Sequence, residues 1–340
     1  MVELINTSVY AGRLKDSIDL KNSSSGGAFT ALSDYFLDNG GAVVASIYNY
    51  DNHDVEFQLI LRKQERNMAR GSKYIQSRPG DIFCKAYKWI MENPEKKLLF
   101  IGMGCQADAF RKFVEIKKIR NRVCIVDIVC HGSPSPRIWK EYIRTVEKKN
   151  NGKITYLSFK DKRNGWRFPV AFVKINDQEI FIKDYVKIFY NNCALRPSCH
   201  QCAYAAIQRK TDITIGDFWN IETTIPDFYS SQGNSLFIIH TNIGKELFDN
   251  IKDKLDYKLS DTEQCWQMNL EKPTEISKYR EKFWKDYEKK GIEYIMKKYG
   301  KVSFKTKLRN KFSKLLSRGG QNEVDIVQIA NLYKRGLALS

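Results

Sequence analysis

Hydrophobic positions in the first third of the chain alternate between helical and strand-like spacing. A helical pattern is followed by short apolar runs, each bounded by polar residues, and such runs are typical of buried parallel strands. The helical pattern covers residues 28–37, and the apolar runs cover 42–48, 98–101 and 123–129. This part of the chain is therefore predicted to be α/β, with a mixed, partly parallel sheet flanked by helices.

A different pattern begins after the polar stretch at 148–152. Apolar and polar residues alternate in three short runs, at 154–159, 168–175 and 179–182, which predict a β-rich second lobe. From Thr274 the pattern becomes helical and increasingly basic. The chain, of overall class α/β (α+β), is therefore divided into an α/β region at 1–150, a β-rich lobe at 151–260 and a basic helical C-terminal region at 261–340.

Two of the predicted strands end in loops that contain a glycine and a cysteine. The first is followed by Gly102-Met-Gly-Cys105-Gln106, and the second by Cys130-His-Gly-Ser-Pro-Ser-Pro136. Each loop leads into a helical pattern. In open α/β sheets, ligands bind beyond the carboxyl ends of the strands and next to helix N-termini. Cys105 and Cys130 therefore fall where a ligand site is expected.

The most specific local motif is the C-x-x-C pair formed by Cys199 and Cys202. Two thiolates at this spacing can reach one soft metal centre, and Cys105, Cys130 and Cys193 are the candidates for the remaining ligands. Spacing alone leaves a zinc site and a redox-active dithiol open. The chain has eight cysteines, and the other three are interpreted as small buried hydrophobic residues: Cys84, Cys124 and Cys265.

Two segments near the N-terminus combine groups that suit an anion. Ser23–Gly27 brings hydroxyls and flexible backbone to the start of the first predicted helix, and Gly71–Ser77 adds a cation and an aromatic ring. An ordinary helix N-cap and a solvated loop explain the same residues. Neither segment matches a G-x-G-x-x-G or P-loop motif, so an ordinary nicotinamide or ATP fold is not indicated.

Two further polar clusters lie at 161–166 and 212–219. The first places Lys162 beside a tryptophan, and the second places Asp217 and two aromatic residues at the end of a predicted strand. An exposed turn also accounts for the first, because Asn-Gly is a turn dipeptide. Core aromatic residues with a turn-capping Asp217 account equally for the second.

The formal net charge of +18 favours anionic partners of any class. No zinc-finger spacing or aromatic RNA-binding motif occurs, so we expect no nucleic-acid partner. The chain contains no signal-like leader and no run of about eighteen apolar residues, which predicts a cytoplasmic protein. The basic segment at 301–318 is interpreted as a solvated helix face, with peripheral contact to an anionic membrane or an acidic partner as the alternative.

Several motifs, taken together and in order, resemble the coenzyme F420 hydrogenase/dehydrogenase beta subunit family. They are Ser25-Gly-Gly27, Ser72-Lys-Tyr74, Gly102–Gln106, Cys130–Ser135, Asp161–Trp166, Leu195–Cys202 and Asp212–Trp219. The resemblance spans roughly residues 23–222. It implies a flavin, expected to be FAD, and one [4Fe–4S] cluster, in a protein that passes electrons between the cluster and a hydride carrier or organic substrate.

The resemblance carries functional roles onto individual residues. The cluster ligands would be Cys105, Cys130, Cys199 and Cys202, with Cys193 as the alternate. The flavin contacts would be Ser25, Gly26, Gly27, Ser72, Lys73, Tyr74, Lys162 and Asp217. The flavin is then expected in region 1–150 and the cluster in region 151–260. Two departures from the family pattern, Met103-Gly104 in place of Thr-Pro and Asn220 in place of glycine, leave the cysteines in place.

The function implied is that of an iron–sulfur flavoprotein oxidoreductase. Electrons would come from a redox partner protein, a reduced deazaflavin or ferredoxin. Relatives without a hydrogenase partner resemble proteins encoded with capsule and exopolysaccharide machinery, which implies a nucleotide-sugar or glycan substrate. Two alternatives remain: a non-catalytic electron-relay subunit, and a polysaccharide-assembly protein whose metal site is only structural.

Overall fold

The computed structural model of this chain describes residues 4–301, and strands dominate its centre. The strands are β1 (Leu4–Leu14), β2 (Ala42–Asn49), β3 (Asp54–Ile60), β4 (Ser77–Arg78), β5 (Leu98–Met103), β6 (Val123–Ile128), β7 (Ile154–Asp161), β8 (Val170–Ile175), β9 (Gln178–Phe181), β10 (Ile213–Asp217), β11 (Ser235–Thr241) and β12 (Leu255–Ser260). Within the described range nine of them form one sheet, in the order β12-β1-β11-β10-β6-β5-β2-β3-β4.

The middle of this sheet is parallel and its flanks are largely antiparallel. β2, β5, β6 and β10 pair in parallel, whereas β11, β1 and β12 continue the sheet antiparallel on one side and β3 does so on the other. The apolar run at 98–101 lies in β5 and is fully buried, because both faces of the sheet are covered. The predicted mixed, partly parallel sheet is confirmed.

Helices cover both faces of the sheet. They are α1 (Ser17–Lys21), α2 (Ala28–Asp38), α3 (Lys63–Ala69), α4 (Ile82–Glu92), α5 (Gly104–Ile116), α6 (Pro136–Lys149), α7 (Lys183–Tyr190), α8 (Ile221–Thr224), α9 (Asn242–Ile251) and α10 (Arg280–Tyr299). α2 and α9 bury their apolar faces in one core cluster with the sheet, and α4 and α5 do so in another. The predicted helix at 28–37 is α2.

The predicted β-rich lobe contains a second, antiparallel sheet of β7, β8 and β9. It shares a core with α6, α7 and α10, in which Trp139, Tyr185 and Phe283 are almost fully buried. α10 is interrupted at Gly291, whose φ of +72° is incompatible with a continuous helix. The three alternating runs thus form a sheet of their own, and the basic C-terminal region begins with a helix.

Strands on both sides of residue 150 join the large sheet, because β10 and β11 pair with β6 and β1. The division into three regions stays a prediction. β1 lies in a stretch for which the sequence predicted no element. No helix among residues 4–301 is both long and apolar enough to cross a membrane. The basic segment predicted at 301–318 lies, after Lys301, outside the described residues.

Candidate functional site

The carboxyl ends of three parallel strands open onto a cavity of about 450 Å³. It is lined by Gly102 and Met103 at the end of β5, by Ile128–Ser133 after β6 and by Ile215–Asp217 in β10. The first turn of α2 closes another side. A volume of roughly 300–1,000 Å³ is usual for small-molecule sites. The cavity therefore lies where an open α/β sheet is expected to bind a ligand.

One wall of the cavity is the serine loop, defined as Ser23–Gly27, which leads into α2. A Cβ added at Gly26 would lie 2.3 Å from the carbonyl oxygen of Gly12 and 2.5 Å from the backbone nitrogen of Ser235. Gly27 has a φ of +90° and lines the cavity as the N-cap of α2. Both glycines are required sterically, and they bring the helix N-terminus to the cavity.

Hydrogen bonds fix the serine loop to two other segments. The Ser24 hydroxyl accepts a bond from the backbone N–H of Ser72 at 2.9 Å, and the Ser25 hydroxyl donates to the Asn234 carbonyl at 2.9 Å. Ser25 and Ser72 both line the cavity. The two segments that the sequence predicted as an anion site therefore lie side by side.

Lys162 lies behind the serine loop. Its ammonium donates to the carbonyl oxygens of Leu20, Ser25 and Gln232 at 2.7, 3.0 and 2.5 Å. The side chain is buried, and burial lowers the pKa of Lys162 to about 8. Its three bonds tie the serine loop to the turn before β11. Neither Lys162 nor Gly26 is among the residues that line the cavity.

The basic side chains of Lys73 and Arg70 line one corner of the cavity. The Lys73 ammonium donates to the carbonyl oxygens of Ala69, Arg70 and Gly71 at 2.8, 3.1 and 3.0 Å, and burial lowers the pKa of Lys73 to about 7. Arg70 pairs with Asp19, while its Nε is buried without a hydrogen-bond partner. Sequence reasoning missed Arg70, although it directly precedes the Gly-Ser-Lys segment.

Aromatic side chains form a flat part of the lining. Tyr74 stacks on Phe189 with ring centroids 4.4 Å apart and 5° between the planes, and its hydroxyl is 3.1 Å from that of Tyr190. The His131 ring lies 5.1 Å from Phe189, and burial lowers the pKa of His131. Tyr74 was predicted, whereas Phe189 and Tyr190 lay in a helical pattern that gave no sign of a cavity.

Asp217 and Trp219 line the cavity beyond the end of β10. The Asp217 carboxylate accepts bonds from Lys160 at 2.6 Å and from the indole of Trp166 at 2.9 Å. Trp219 stacks on Trp166 with centroids 5.2 Å apart. The predicted Asp217 is thus held by neighbouring side chains. Sequence reasoning missed two amide side chains of the lining, Gln267 and Asn269, which come from far along the chain.

The loop that begins at Cys130 lies directly against the C-x-x-C segment. The Ser133 carbonyl accepts a bond from the backbone N–H of Arg196 at 2.8 Å, and the backbone N–H of Ser133 donates to Cys199 Sγ at 3.4 Å. A Cβ added at Gly132 would lie 3.5 Å from Cys199 Cβ. Tertiary pairing therefore brings Cys130 and Cys199 together although 69 positions separate them in the sequence.

Cys105 and Cys202 are brought together in a similar way. Cys105 is the second residue of α5, and a Cβ added at the preceding Gly104 would lie 2.9 Å from Tyr204 Cβ. The Tyr204 hydroxyl donates to Asp108 of the same helix at 3.0 Å. The backbone just after Cys202 therefore packs on the first turns of α5.

Neighbouring thiols contribute to the pKa values of Cys130 and Cys105. Burial, with smaller contributions from the neighbouring thiols of Cys199, Cys105 and Cys202, raises the pKa of Cys130 to about 12. Burial also raises the pKa of Cys105, with smaller contributions from Cys202 and Cys199. The four are called the cysteine site below.

Cys193, the alternate ligand, has other partners. Its thiol is directed at the Ser277 hydroxyl, 3.4 Å away, and burial raises its pKa. Within residues 4–301, no three His, Cys, Asp or Glu side chains are arranged as ligands of a single metal ion. The four thiols of the cysteine site come from three separate segments of the chain.

Comparison with known proteins identifies the fold and the family. The fold is similar to a solved structure of the F420-reducing [NiFe] hydrogenase complex from Methanosarcina barkeri, derivatized with xenon. The TM-score is 0.50, the sequence identity is 18%, and the alignment covers 87% of this chain and 91% of the other. A likeness at this identity concerns the fold alone.

Sequence comparison identifies the family. An uncharacterized protein from Methanocaldococcus jannaschii is 27% identical over 195 residues, which cover 54% of this chain and 51% of the relative. The matched part is thus about half the length of that curated relative. The family model for the C terminus of the coenzyme F420 hydrogenase/dehydrogenase beta subunit matches residues 95–265, half of the chain and the part that carries the cysteine site. This chain belongs to the coenzyme F420 hydrogenase/dehydrogenase beta subunit family.

Proposed function

We propose that this protein is an iron–sulfur flavoprotein oxidoreductase that passes electrons between a [4Fe–4S] cluster and FAD to reduce an organic substrate. The observation that carries the proposal is that Cys130 belongs both to the cysteine site and to the lining of the cavity. The loop that it begins packs against Cys199, whose Sγ accepts a bond from the backbone N–H of Ser133, and Cys130 itself lines the 450 Å³ cavity. A cluster on these thiols would border directly on a ligand in the cavity.

The cysteine site fits a cluster chemically. A [4Fe–4S] cluster is held by four cysteine thiolates, and the four thiols of the site supply that number. Cys105 lies at the start of α5, where the helix dipole stabilises a thiolate and opposes the burial that raises its pKa. Cys193 is directed at Ser277, so we propose Cys105, Cys130, Cys199 and Cys202 as the ligands. When bound, the cluster would supply single electrons.

The cavity suits a flavin because its walls differ in character. The start of α2, Ser72 and the Arg70–Lys73 corner offer amides, hydroxyls and cations for phosphate. Tyr74 and Phe189 offer a flat surface for a ring system. Gly27 lets the phosphate approach the backbone closely. A bound flavin would convert single electrons into hydride chemistry.

Lys162 and Gly26 act on the flavin indirectly in this proposal. Their contacts shape the serine loop from behind, through three carbonyl bonds and a close backbone approach. The loop then needs no rearrangement when a ligand binds, which lowers the entropy that binding must offset. Asp217 would act in the same way, through Lys160 and Trp166.

For the substrate we propose a sugar-linked molecule, a nucleotide sugar or a glycan of capsule or exopolysaccharide biosynthesis. Trp219, Gln267 and Asn269 line the cavity and together offer an aromatic face and amide groups, which suit a polar ring. The second candidate is an electron-relay subunit that works with a redox partner. The similar fold in a hydrogenase complex supports this version.

Anaerobic purification of the full chain tests the proposal. We expect a brown protein with one flavin and about four iron and four sulfide ions per chain, the composition of one flavin and one cluster. A colourless protein that contains zinc would overturn both functions. Turnover of nucleotide sugars with a chemical reductant would favour the oxidoreductase, whereas reduced cluster without turnover would favour the relay subunit.

A further inference from the structure

A buried ion pair lies beneath the loop that follows Cys202. Arg209 Nη1 is 3.0 Å from Asp127 Oδ2, and the two side chains are only 4% and 1% exposed. The same nitrogen donates to the Ile128 carbonyl at 3.2 Å, and Arg209 Nε donates to the Ala206 carbonyl at 3.0 Å. One guanidinium therefore ties this loop to the end of β6.

The ion pair also borders the other segments of the cysteine site. A Cβ added at Gly104 would lie 3.3 Å from Asp127 Oδ2, so this carboxylate sits at the first turn of α5, which carries Cys105. Asp127 precedes Cys130 by three residues. The Arg209–Asp127 pair is thus adjacent to the segments that bear Cys105, Cys130 and Cys202.

A chain of hydrogen bonds holds Asp127 from the opposite side. Thr214 lies beside Asp127 in the β6–β10 pairing, and its hydroxyl donates to Asp127 Oδ1 at 2.6 Å. The same hydroxyl is 2.8 Å from His240 Nε2. Since the hydroxyl has one proton, which it gives to the carboxylate, His240 must donate to it. Burial, with a smaller contribution from Arg209, lowers the pKa of His240 to about 4, in keeping with a neutral ring.

We propose that Arg209 and Asp127 are positioning residues, which hold the Cys202 loop on β6 and α5 and set the electrostatic potential at the cysteine site. The pair is desolvated, so removing one partner leaves an uncompensated buried charge and frees the loop. The statement about the potential rests on the proposed function, because it requires the cluster. The statement about the loop does not.

The chain offers a matched control. Arg120 and Asp212 form a second buried pair at 2.7 Å, with side chains 9% and 0% exposed. Asp212 also accepts bonds from the backbone N–H of Ile125 and from the Thr241 hydroxyl. This pair lies at the start of β10, whereas the cysteine site lies beyond the carboxyl ends of the parallel strands. Breaking it removes a similar interaction at the end of the strand opposite to the cysteine site.

Hydrogen exchange of the full, metal-free chain tests whether the Arg209–Asp127 pair holds the Cys202 loop in place. We expect Arg209→Met to reduce the protection of amides 202–208 by about tenfold or more, and Arg120→Met to leave them unchanged while lowering the thermal midpoint. Arg209→Lys keeps the charge but loses the several N–H donors of the guanidinium, so it should also reduce the protection of these amides. This variant replaces Arg209→Met in the experiment if the Met variant does not fold. Equal protection in the Arg209 and Arg120 variants would overturn the proposal.

The midpoint potential of the iron-loaded protein tests whether the Arg209–Asp127 pair sets the electrostatic potential at the cysteine site. Asp127→Asn leaves the Arg209 cation uncompensated and should raise the potential, because a nearby cation favours the reduced cluster. Asp212→Asn should leave it unchanged. Equal potentials in Asp127→Asn and Asp212→Asn would refute the electrostatic role. A wild-type protein without iron would refute the proposed function and leave the exchange experiment valid.

Discussion

The serine loop and the cysteine site border the same cavity but are built differently. The serine loop is defined by its backbone: Gly26 is packed against Gly12 and Ser235, and Lys162 binds backbone carbonyls. The cysteine site is defined by side chains from three segments far apart in the sequence. A substitution should therefore act on the serine loop through folding, and on the cysteine site through what it binds.

The largest expected effect is on the cysteine site. Cys202→Ser removes one of four proposed thiolate ligands, so the iron content should fall by most of its wild-type value. The free energy of unfolding of the metal-free chain should change by less than about 1 kcal/mol, because Cys202 is only partly buried. Iron analysis and urea unfolding measure the two effects.

Cys265→Ser is the matched control for this change, because Cys265 is a buried cysteine in another core cluster. It should keep its iron. Cys193→Ser should also keep its iron, since the Cys193 thiol is directed at Ser277. Iron loss in Cys193→Ser with full iron in Cys202→Ser would replace the ligand set proposed above.

The next effect concerns the backbone of the serine loop. Gly26→Ala places a Cβ 2.3 Å from a backbone oxygen that cannot move aside, so the free energy of unfolding should fall by about 3 kcal/mol or more. Gly80→Ala is the control: its φ is +55° but its surroundings are open, and a loss of about 1 kcal/mol is expected. Urea unfolding that gave equal losses would contradict the steric argument.

A pH effect of similar size should come from His240, behind the cysteine site. The pKa of His240 in the folded chain is about 4, below the usual 6.5. Between pH 4 and pH 6.5 the imidazole is therefore protonated in the unfolded chain but neutral in the folded chain. The stability is present above pH 6.5 and falls by about 3 kcal/mol as the pH drops to 4. His240→Gln, which retains an N–H for Thr214, should flatten this part of the stability curve. An unchanged slope would show that other groups cause the loss.

The smallest predicted effect concerns Lys162. Lys162→Met fills the space of the stem but leaves three carbonyls without their donor, so the free energy of unfolding should fall by about 2 kcal/mol. Flavin affinity, measured by fluorescence titration, should fall with it as the serine loop loosens. Lys88→Met, at an exposed position on α4, should change stability by less than about 0.5 kcal/mol. Normal flavin affinity in Lys162→Met would argue against its role in shaping the loop.

Local patterns predicted much of the fold correctly. The apolar runs at 98–101 and 123–129 became β5 and β6, because a short run buried on both faces has few other solutions in an α/β protein. The order of the strands was not predictable in this way. β1 lies between β11 and β12, which follow it by more than 200 residues, and such pairings depend on the whole chain.

The residues that line the cavity also fall into two groups, those that short motifs predicted and those that only the tertiary structure brings there. Ser25, Gly27, Ser72 and Tyr74 were predicted from short motifs and line it together. Phe189, Gln267 and Asn269 line it as well, yet nothing in their neighbourhood along the chain distinguishes them from ordinary helix or loop residues. Their role follows only from the packing of their segments over the carboxyl ends of the strands.

The sequence by itself determined the family, the mixed α/β class and a C-x-x-C pair suited to a soft metal centre, because motif identity, hydrophobic period and donor chemistry are local properties. Only the tertiary structure decided that Cys130 borders the cavity, that Lys162 binds carbonyls behind the serine loop and that Arg209 pairs with Asp127. Burial and partner choice depend on residues distant in sequence, and a single desolvated contact changes the role of a side chain.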